Sequence, residues 1–300
     1  MTAVRTFAPS PRPAELKLRG ATFGTDELLT MAIVNRTPDS FYDRGATYAF
    51  EAALERVHQV VEEGAEIVDI GGVKAAPGEE VGVAEELRRT VEFVAAVRAA
   101  HPRLVISVDT WRHEVGRAVC EAGADLLNDA WGGWDPRLVE VAAEYGAAIV
   151  CTHAGGVAPR TRPHRTGYAD LTADVLDGVM KLANRALEAG VDPASIIIDP
   201  AHDFAKNTHH SLEITRNLDR LVATGLPVLV SLSNKDFVGE TLNLPLEERL
   251  TGTLAATAVA AWQGARIFRV HEAAQTRQTL DMVAAIRGTQ APALALRGLA

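Results

Sequence analysis

Eight apolar runs in this chain each stop on polar or ionisable residues, and the residue types at those ends could do chemistry together. They are Asn35; Asp69 with Gly71 and Gly72; Asp109 with Thr110; Asn128 with Asp129; Thr152 with His153; Asp199; Ser231 and Ser233 with Lys235 just beyond; and Arg269 with His271. Asp109 and Asp199 end strongly apolar runs, so their carboxylates lose water and require partners. With Asn128 they are acceptors or mixed amides, which suits a flat heterocycle presenting N–H donors. Arg269 and His271 alternate along one run and so share one strand face. With Asn35 they suit an anion such as phosphate. A lone polar residue at such an end is often only a helix cap or a turn former. Asp43, Asp129 and Thr110 are open to that reading, but eight ends in register are poorly explained by it. The histidines show neither HxH nor HExxH spacing, which argues against zinc catalysis. Magnesium held loosely by Asn35 and a phosphate fits, because Mg²⁺ keeps most of its waters.

The elements that must position these groups follow a rhythm. The apolar runs cover 28–35, 65–72, 104–110, 126–131, 147–153, 195–200, 227–233 and 266–272. Their nearly continuous hydrophobicity predicts strands buried on both faces of a parallel sheet. Helical spacing fills 48–63, 83–100, 112–122, 136–145, 170–189, 208–223, 246–263 and 273–287. Gly64, Gly123, Gly146, Gly190 and Gly264 stand where helices end, suited to the left-handed residue that closes them. Eight alternating pairs predict an α/β fold, a (β/α)8 TIM barrel, with an open doubly wound sheet as the alternative. Residues 16–23 alternate and predict a short N-terminal β-hairpin. The expected organisation is a mobile tail over 1–15, one barrel domain over 16–287, and an Ala/Leu-rich tail over 288–300 that could pack on the outside.

Composition bounds the function. Of 300 residues, 47% are hydrophobic, enough for one large core, and the net charge of −9 argues against nonspecific nucleic-acid or anionic-membrane partners. No apolar run is long enough for a membrane span, and the first residues lack the apolar core of a signal peptide. The two cysteines, Cys120 and Cys151, have neither metal-site nor disulfide spacing, so a cytoplasmic location is expected.

Several stretches resemble the signatures of the dihydropteroate synthases, the pterin-binding barrel family. NRTPDSF (35–41) resembles N-V-T-P-D-S-F. GAEIVDIGG followed by Pro77-Gly78 resembles the second-strand motif, and SVDTWR and GADLLNDAWGG the third and fourth. IIIDP with Phe204 and Lys206 resembles D-P-x-x-x-F-x-K, SLSNKDFVG resembles S-R-K-x-x-x-G, and FRVHE ends in the family's R-x-H. The resemblance covers about 16–287. It implies condensation of 6-hydroxymethyl-7,8-dihydropterin diphosphate with p-aminobenzoate, with pyrophosphate leaving and Mg²⁺ assisting. It implies that Asp109, Asn128, Asp199, Phe204 and Lys235 hold the pterin. Asn35, Arg269 and His271 then meet the pyrophosphate, with Asn35 at the metal. Asn35, Arg269, His271 and Lys235 become the catalytic set, and a homodimer built through outer helices is implied.

The chain also departs from the family. The second-strand loop, E-S-T-R-P-G in the family, reads Val73-Lys74-Ala75-Ala76-Pro77-Gly78, and S-R-K reads Ser233-Asn234-Lys235. Lys74, Pro77, Ser233 and Asn234 therefore mark an altered second-substrate side. M-H-M after the fifth strand reads Thr152-His153-Ala154. Arg36, Lys74, Arg160, Arg162 and Arg165 are basic groups that could compensate. The pattern resembles a divergent second synthase-like paralogue of actinobacteria, and implies either a weak or inactive synthase that binds a pterin diphosphate, or an enzyme for another anionic acceptor.

Overall fold

The computed structural model describes residues 15–37, 49–161 and 167–297. The expected N-terminal tail falls almost wholly outside these residues, as do most of the NRTPDSF loop, Asp43, Arg162 and Arg165. Two short antiparallel strands, β1 (Leu16–Leu18) and β2 (Ala21–Phe23), form the predicted hairpin. Eight parallel strands follow: β3 (Leu29–Asn35), β4 (Ile67–Gly71), β5 (Val105–Asp109), β6 (Leu126–Asp129), β7 (Ala148–Thr152), β8 (Ile196–Asp199), β9 (Leu229–Val230) and β10 (Ile267–Val270). Their order, β8-β7-β6-β5-β4-β3-β10-β9, is that of a barrel. The seam between β8 and β9 is closed by the Ile198–Val228 bridge, in which Ile198 N–H donates to Pro227 O at 3.0 Å.

Period-2 alternation explains how apolar runs build a polar mouth. Leu29, Met31, Ile67, Val105, Leu126, Ile197, Leu229 and Ile267 point into the barrel and form a buried layer, which Leu16 and Leu18 of the hairpin plug from below. Two residues further along, the same inward face carries Asp69, Ser107, Asn128, Asp199, Ser231 and Arg269. The outward face packs on the surrounding helices through residues such as Val68, Ile70, Ile106, Leu127 and Phe268.

Those helices are α1 (Phe50–Glu62), α2 (Val83–Ala100), α3 (His113–Ala122), α4 (Leu138–Tyr145), α5 (Leu171–Ala189), α6 (Thr208–Arg216), α7 (Leu218–Val222), α8 (Asp236–Leu242), α9 (Leu250–Gln263) and α10 (Ala273–Arg287). Gly123, Gly146, Gly190 and Gly264 all adopt the left-handed cap conformation. Two predicted helices are divided. The 208–223 segment breaks at Asn217, whose side-chain amide donates back to Glu213 O at 3.0 Å, a local bond that competes with the helix. The 246–263 segment begins with a separate 3-10 turn, Leu246–Glu248. Helix α8 was not expected. The C-terminal tail leaves Leu294 and Leu296 more than 70% exposed, so these side chains do not pack on the barrel as expected.

Candidate active site

A cavity of about 400 Å³ opens at the C-terminal ends of the strands. It is lined by Asn35, Lys74, Asp109, Asn128, Asp199, Phe204, Ser233, Lys235, Arg269 and His271 among others, so the strand ends do converge on one mouth. Pro77 and Asn234 do not line it. Pro77 is exposed on the loop. Asn234 is buried with a left-handed backbone, and its amide donates to Glu272 at 2.8 Å.

The floor is organised around Asp69, which is fully buried on β4. Its carboxylate accepts from Ser107 Oγ at 2.6 Å, from Asn128 Nδ2 at 3.2 and 3.3 Å, and from Arg269 Nε at 2.6 Å. Arg269 also donates through Nη2 to Asp109 at 3.2 Å. Arg269 is thus tied to the buried carboxylates of β4 and β5. Because Asn128 spends its amide hydrogens on Asp69, its Oδ1 is left as an acceptor. Burial pushes the Asp109 carboxyl up to about 7 despite the nearby Arg269. Asp199 is raised by the same desolvation, with Lys235 opposing it; its Oδ1 accepts from Ala201 N–H at 2.7 Å.

The β8 loop brings further groups. Lys235 donates to His202 O and lies 5.3 Å from the Phe204 ring centroid. Phe204 meets Trp131 edge-on at 5.2 Å, and Trp131 meets Trp111 at 6.3 Å. Burial lowers the Lys235 ammonium from its ordinary value. Lys206 Nζ contacts His153 Nδ1 at 2.9 Å, His153 O at 3.1 Å and Phe204 O at 3.1 Å. His153 continues to Asp174 at 2.8 Å. Desolvation lowers Lys206 to about 7. On the opposite side, Ser233 Oγ and His271 Nδ1 are 2.9 Å apart.

The sequence reading placed Asp69 among the strand ends without giving it a role, named Lys206 only within a motif, and left Trp131 out of the site. An Asp in the middle of an apolar run was the available signal for Asp69. Trp131 gave none, because a tryptophan after a strand is usually core.

The basic groups considered as replacements for the altered loops lie as follows. Arg36 is buried, its guanidinium 5.6 Å from Phe50 and 5.0 Å from Phe93, and it does not line the cavity. Arg160 reaches across to the second-strand loop, donating to Ala76 O at 3.2 Å and to Glu79 O. Lys74 lines the cavity beside Ala75 and Ala76. Asn35 and Thr37 both line the cavity with oxygen-bearing side chains. That donor set fits a hard cation that keeps its waters and takes further oxygens from a phosphate. Among the described residues, the one cluster of three potential metal ligands is His113, Glu114 and Asp135, none of which lines this cavity.

The barrel and its mouth define a class: a (β/α)8 barrel whose cavity, at the strand C-termini, is lined by the buried Asp109, Asn128 and Asp199 and by Lys235, Arg269 and His271. The pterin binding enzyme family profile matches residues 31–271, and the chain belongs to that family. It is 57% identical over 287 residues to the inactive dihydropteroate synthase 2 of Mycobacterium leprae, covering 94% of this chain and 99% of that one. It is 38% identical to the dihydropteroate synthase of Bacillus subtilis, over 87% of this chain and 89% of that one. The Yersinia pestis dihydropteroate synthase, solved with a sulfonamide drug complex, superposes with a TM-score of 0.86 at 34% identity, covering 92% and 100% of the two chains.

Proposed function

We propose that this protein binds a dihydropterin diphosphate in the barrel mouth. We further propose that it condenses this ligand with p-aminobenzoate several orders of magnitude more slowly than the synthases it resembles. Asp109, Asn128 and Asp199 accept from the ring, Lys235 and Phe204 flank it, and Asn35, His271 and Arg269 attend the diphosphate. Mg²⁺, where bound, would be held through Asn35 and the phosphate oxygens, and would neutralise charge on the leaving group. A departing diphosphate leaves an electron-poor methylene, and the buried carboxylates favour positive charge spreading over the ring. No protein nucleophile is needed.

The observation that carries the reduced activity is the cavity wall at Ala75 and Ala76, which is methyl-lined where the family signature has Thr and Arg. Arg36 is stacked on phenylalanines and Arg160 is committed to loop carbonyls, so neither contributes a guanidinium to that wall. Each lost charge-assisted bond is worth about 1.5–3 kcal/mol, and two of them cost roughly two to four orders of magnitude in rate. Asp236 and Glu240, one helical turn apart on α8, also line the cavity, with Asp236 paired to Arg249 at 3.1 Å and Glu240 accepting from Thr208.

The test is to incubate the purified protein with the dihydropterin diphosphate, Mg²⁺ and p-aminobenzoate. Dihydropteroate is followed by chromatography, and diphosphate binding by calorimetry. Saturable binding with a rate at least about a hundredfold below a working synthase supports the proposal. A synthase-like rate overturns the activity half, and absence of binding overturns the whole.

The exposed apolar residues Val259 and Trp262 on α9 and Met282 and Ile286 on α10 support a homodimer through these helices. A cytoplasmic location fits the two buried free thiols and the absence, among the described residues, of a helix long and apolar enough to cross a membrane.

A further inference from the structure

Thr152, at the end of β7, is 2% exposed, and its Oγ1 is a buried hydroxyl with no hydrogen-bond partner. It lines the cavity, on the strand between Asn128 of β6 and Asp199 of β8. A buried hydroxyl without a partner costs free energy, so native proteins pair nearly all of them. The side chain continues the inward-facing row begun by Val150, which turns this unpaired hydroxyl toward the cavity.

The groups around Thr152 decide what it must meet. Asp109 and Asp199 are acceptors when ionised, and Asn128 keeps its Oδ1 as an acceptor because its amide hydrogens are held by Asp69. This arc of the mouth therefore reads N–H donors on the ligand. A hydroxyl both donates and accepts, and Thr152 is the neutral donor in that arc. We propose that Thr152 is a ligand-binding residue of this chain, donating its hydroxyl proton to a ring nitrogen or ring carbonyl of the bound heterocycle. The site then recognises a ring edge that combines N–H donors with an adjacent acceptor. The residue stands where the family motif quoted above has a methionine, so this contact distinguishes the chain within its family. The inference rests on the pterin-diphosphate reading.

The test compares wild type with Thr152→Val and Thr152→Ser by calorimetry with 6-hydroxymethyl-7,8-dihydropterin diphosphate and Mg²⁺, with thermal unfolding of each ligand-free protein alongside. Valine keeps the shape and removes the hydroxyl. The expected result is an affinity about tenfold weaker for Thr152→Val, near-wild-type affinity for Thr152→Ser, and a ligand-free unfolding temperature for Thr152→Val no lower than wild type. A merely structural hydroxyl would instead lower the unfolding temperature and leave affinity in place. Unchanged affinity in Thr152→Val with wild type binding normally overturns the role of Thr152 alone. Failure of wild type to bind overturns the pterin reading, and this inference with it.

Discussion

At the residue scale the site depends on one buried carboxylate. Asp69 holds Ser107, Asn128 and Arg269 at once, so it fixes both the amide orientation of Asn128 and the guanidinium under Asp109. Asp69→Ala would leave Arg269 buried with Asp109 as its remaining close partner; removing one member of a buried pair costs about 3–5 kcal/mol, to be read as a lower urea midpoint. Asp109 gives a pH signature. Burial raises its carboxyl from 3.8 to about 7. The folded chain therefore binds its proton more tightly than the unfolded chain, so the stability this group provides is complete below 3.8 and is lost as pH rises to 7. On the proposed pterin reading, ligand binding runs the other way, because ring N–H donors favour the ionised carboxylate. Affinity for the pterin diphosphate is expected to hold above pH 7 and to fall by up to about tenfold per unit below it, with a proton released on binding near pH 6. Asp109→Asn should flatten that profile; an unchanged profile would sink the assignment. The ring of strand-end residues was legible because alternation along each strand is local. Which residues touch across the barrel was not legible: Arg269 was grouped with the anion side, yet its reach takes it to two carboxylates on β4 and β5.

At the element scale the β8 loop is the strained part of the mouth. Ala201, Asp203 and Ala205 all have positive φ, at 54°, 66° and 49°, in a stretch that presents Phe204 and Lys206. An alanine in the left-handed region costs about 1–2 kcal/mol, against roughly 0.5–1 kcal/mol of extra backbone entropy for glycine. Ala201→Gly and Ala205→Gly are each expected to leave stability unchanged or raise it by up to about 1 kcal/mol, measured by urea unfolding. A clear loss would show that their methyl packing outweighs the strain. Lys206 stitches this loop to the β7 loop through His153 Nδ1, His153 O and Phe204 O. Lys206→Met removes the donor from three acceptors and should cost about 2–4 kcal/mol, somewhat reduced because the ammonium is itself desolvated. The element pattern was largely readable in the sequence. Helix ends followed left-handed glycines, and the 273–287 helix has the bounds its periodicity implied. The failures have local causes: Asn217 bonds back to its own helix, and α8 is seven residues long, too short for periodicity to reveal.

At the scale of the whole molecule, the proposed homodimer has a candidate face on two outer helices. Val259 and Trp262 are 48% and 60% exposed on α9, and Met282 and Ile286 are 62% and 60% exposed on α10. The two helices are neighbours on the outside of the barrel, with Arg287 donating to Ala261 O at 3.2 Å. Single exposed apolar residues are ordinary on a monomer, and four large ones on two neighbouring helices are what an interaction face would use. A closed dimer would use the same patch on both copies. It would leave the strand C-termini open, because these helices flank the barrel and the mouth lies at its end. Light scattering of wild type should therefore give twice the chain mass, and its unfolding midpoint should rise with protein concentration. Trp262→Glu combined with Met282→Glu should give the single-chain mass and a midpoint independent of concentration. Because both residues are exposed in the isolated chain, the variant should keep its fold and its affinity for the pterin diphosphate. A variant that stays dimeric would move the interface elsewhere. One that becomes monomeric and loses the ligand would tie the mouth to the interface, through the connection that α9 makes with Asn234 by Thr253 at 3.1 Å.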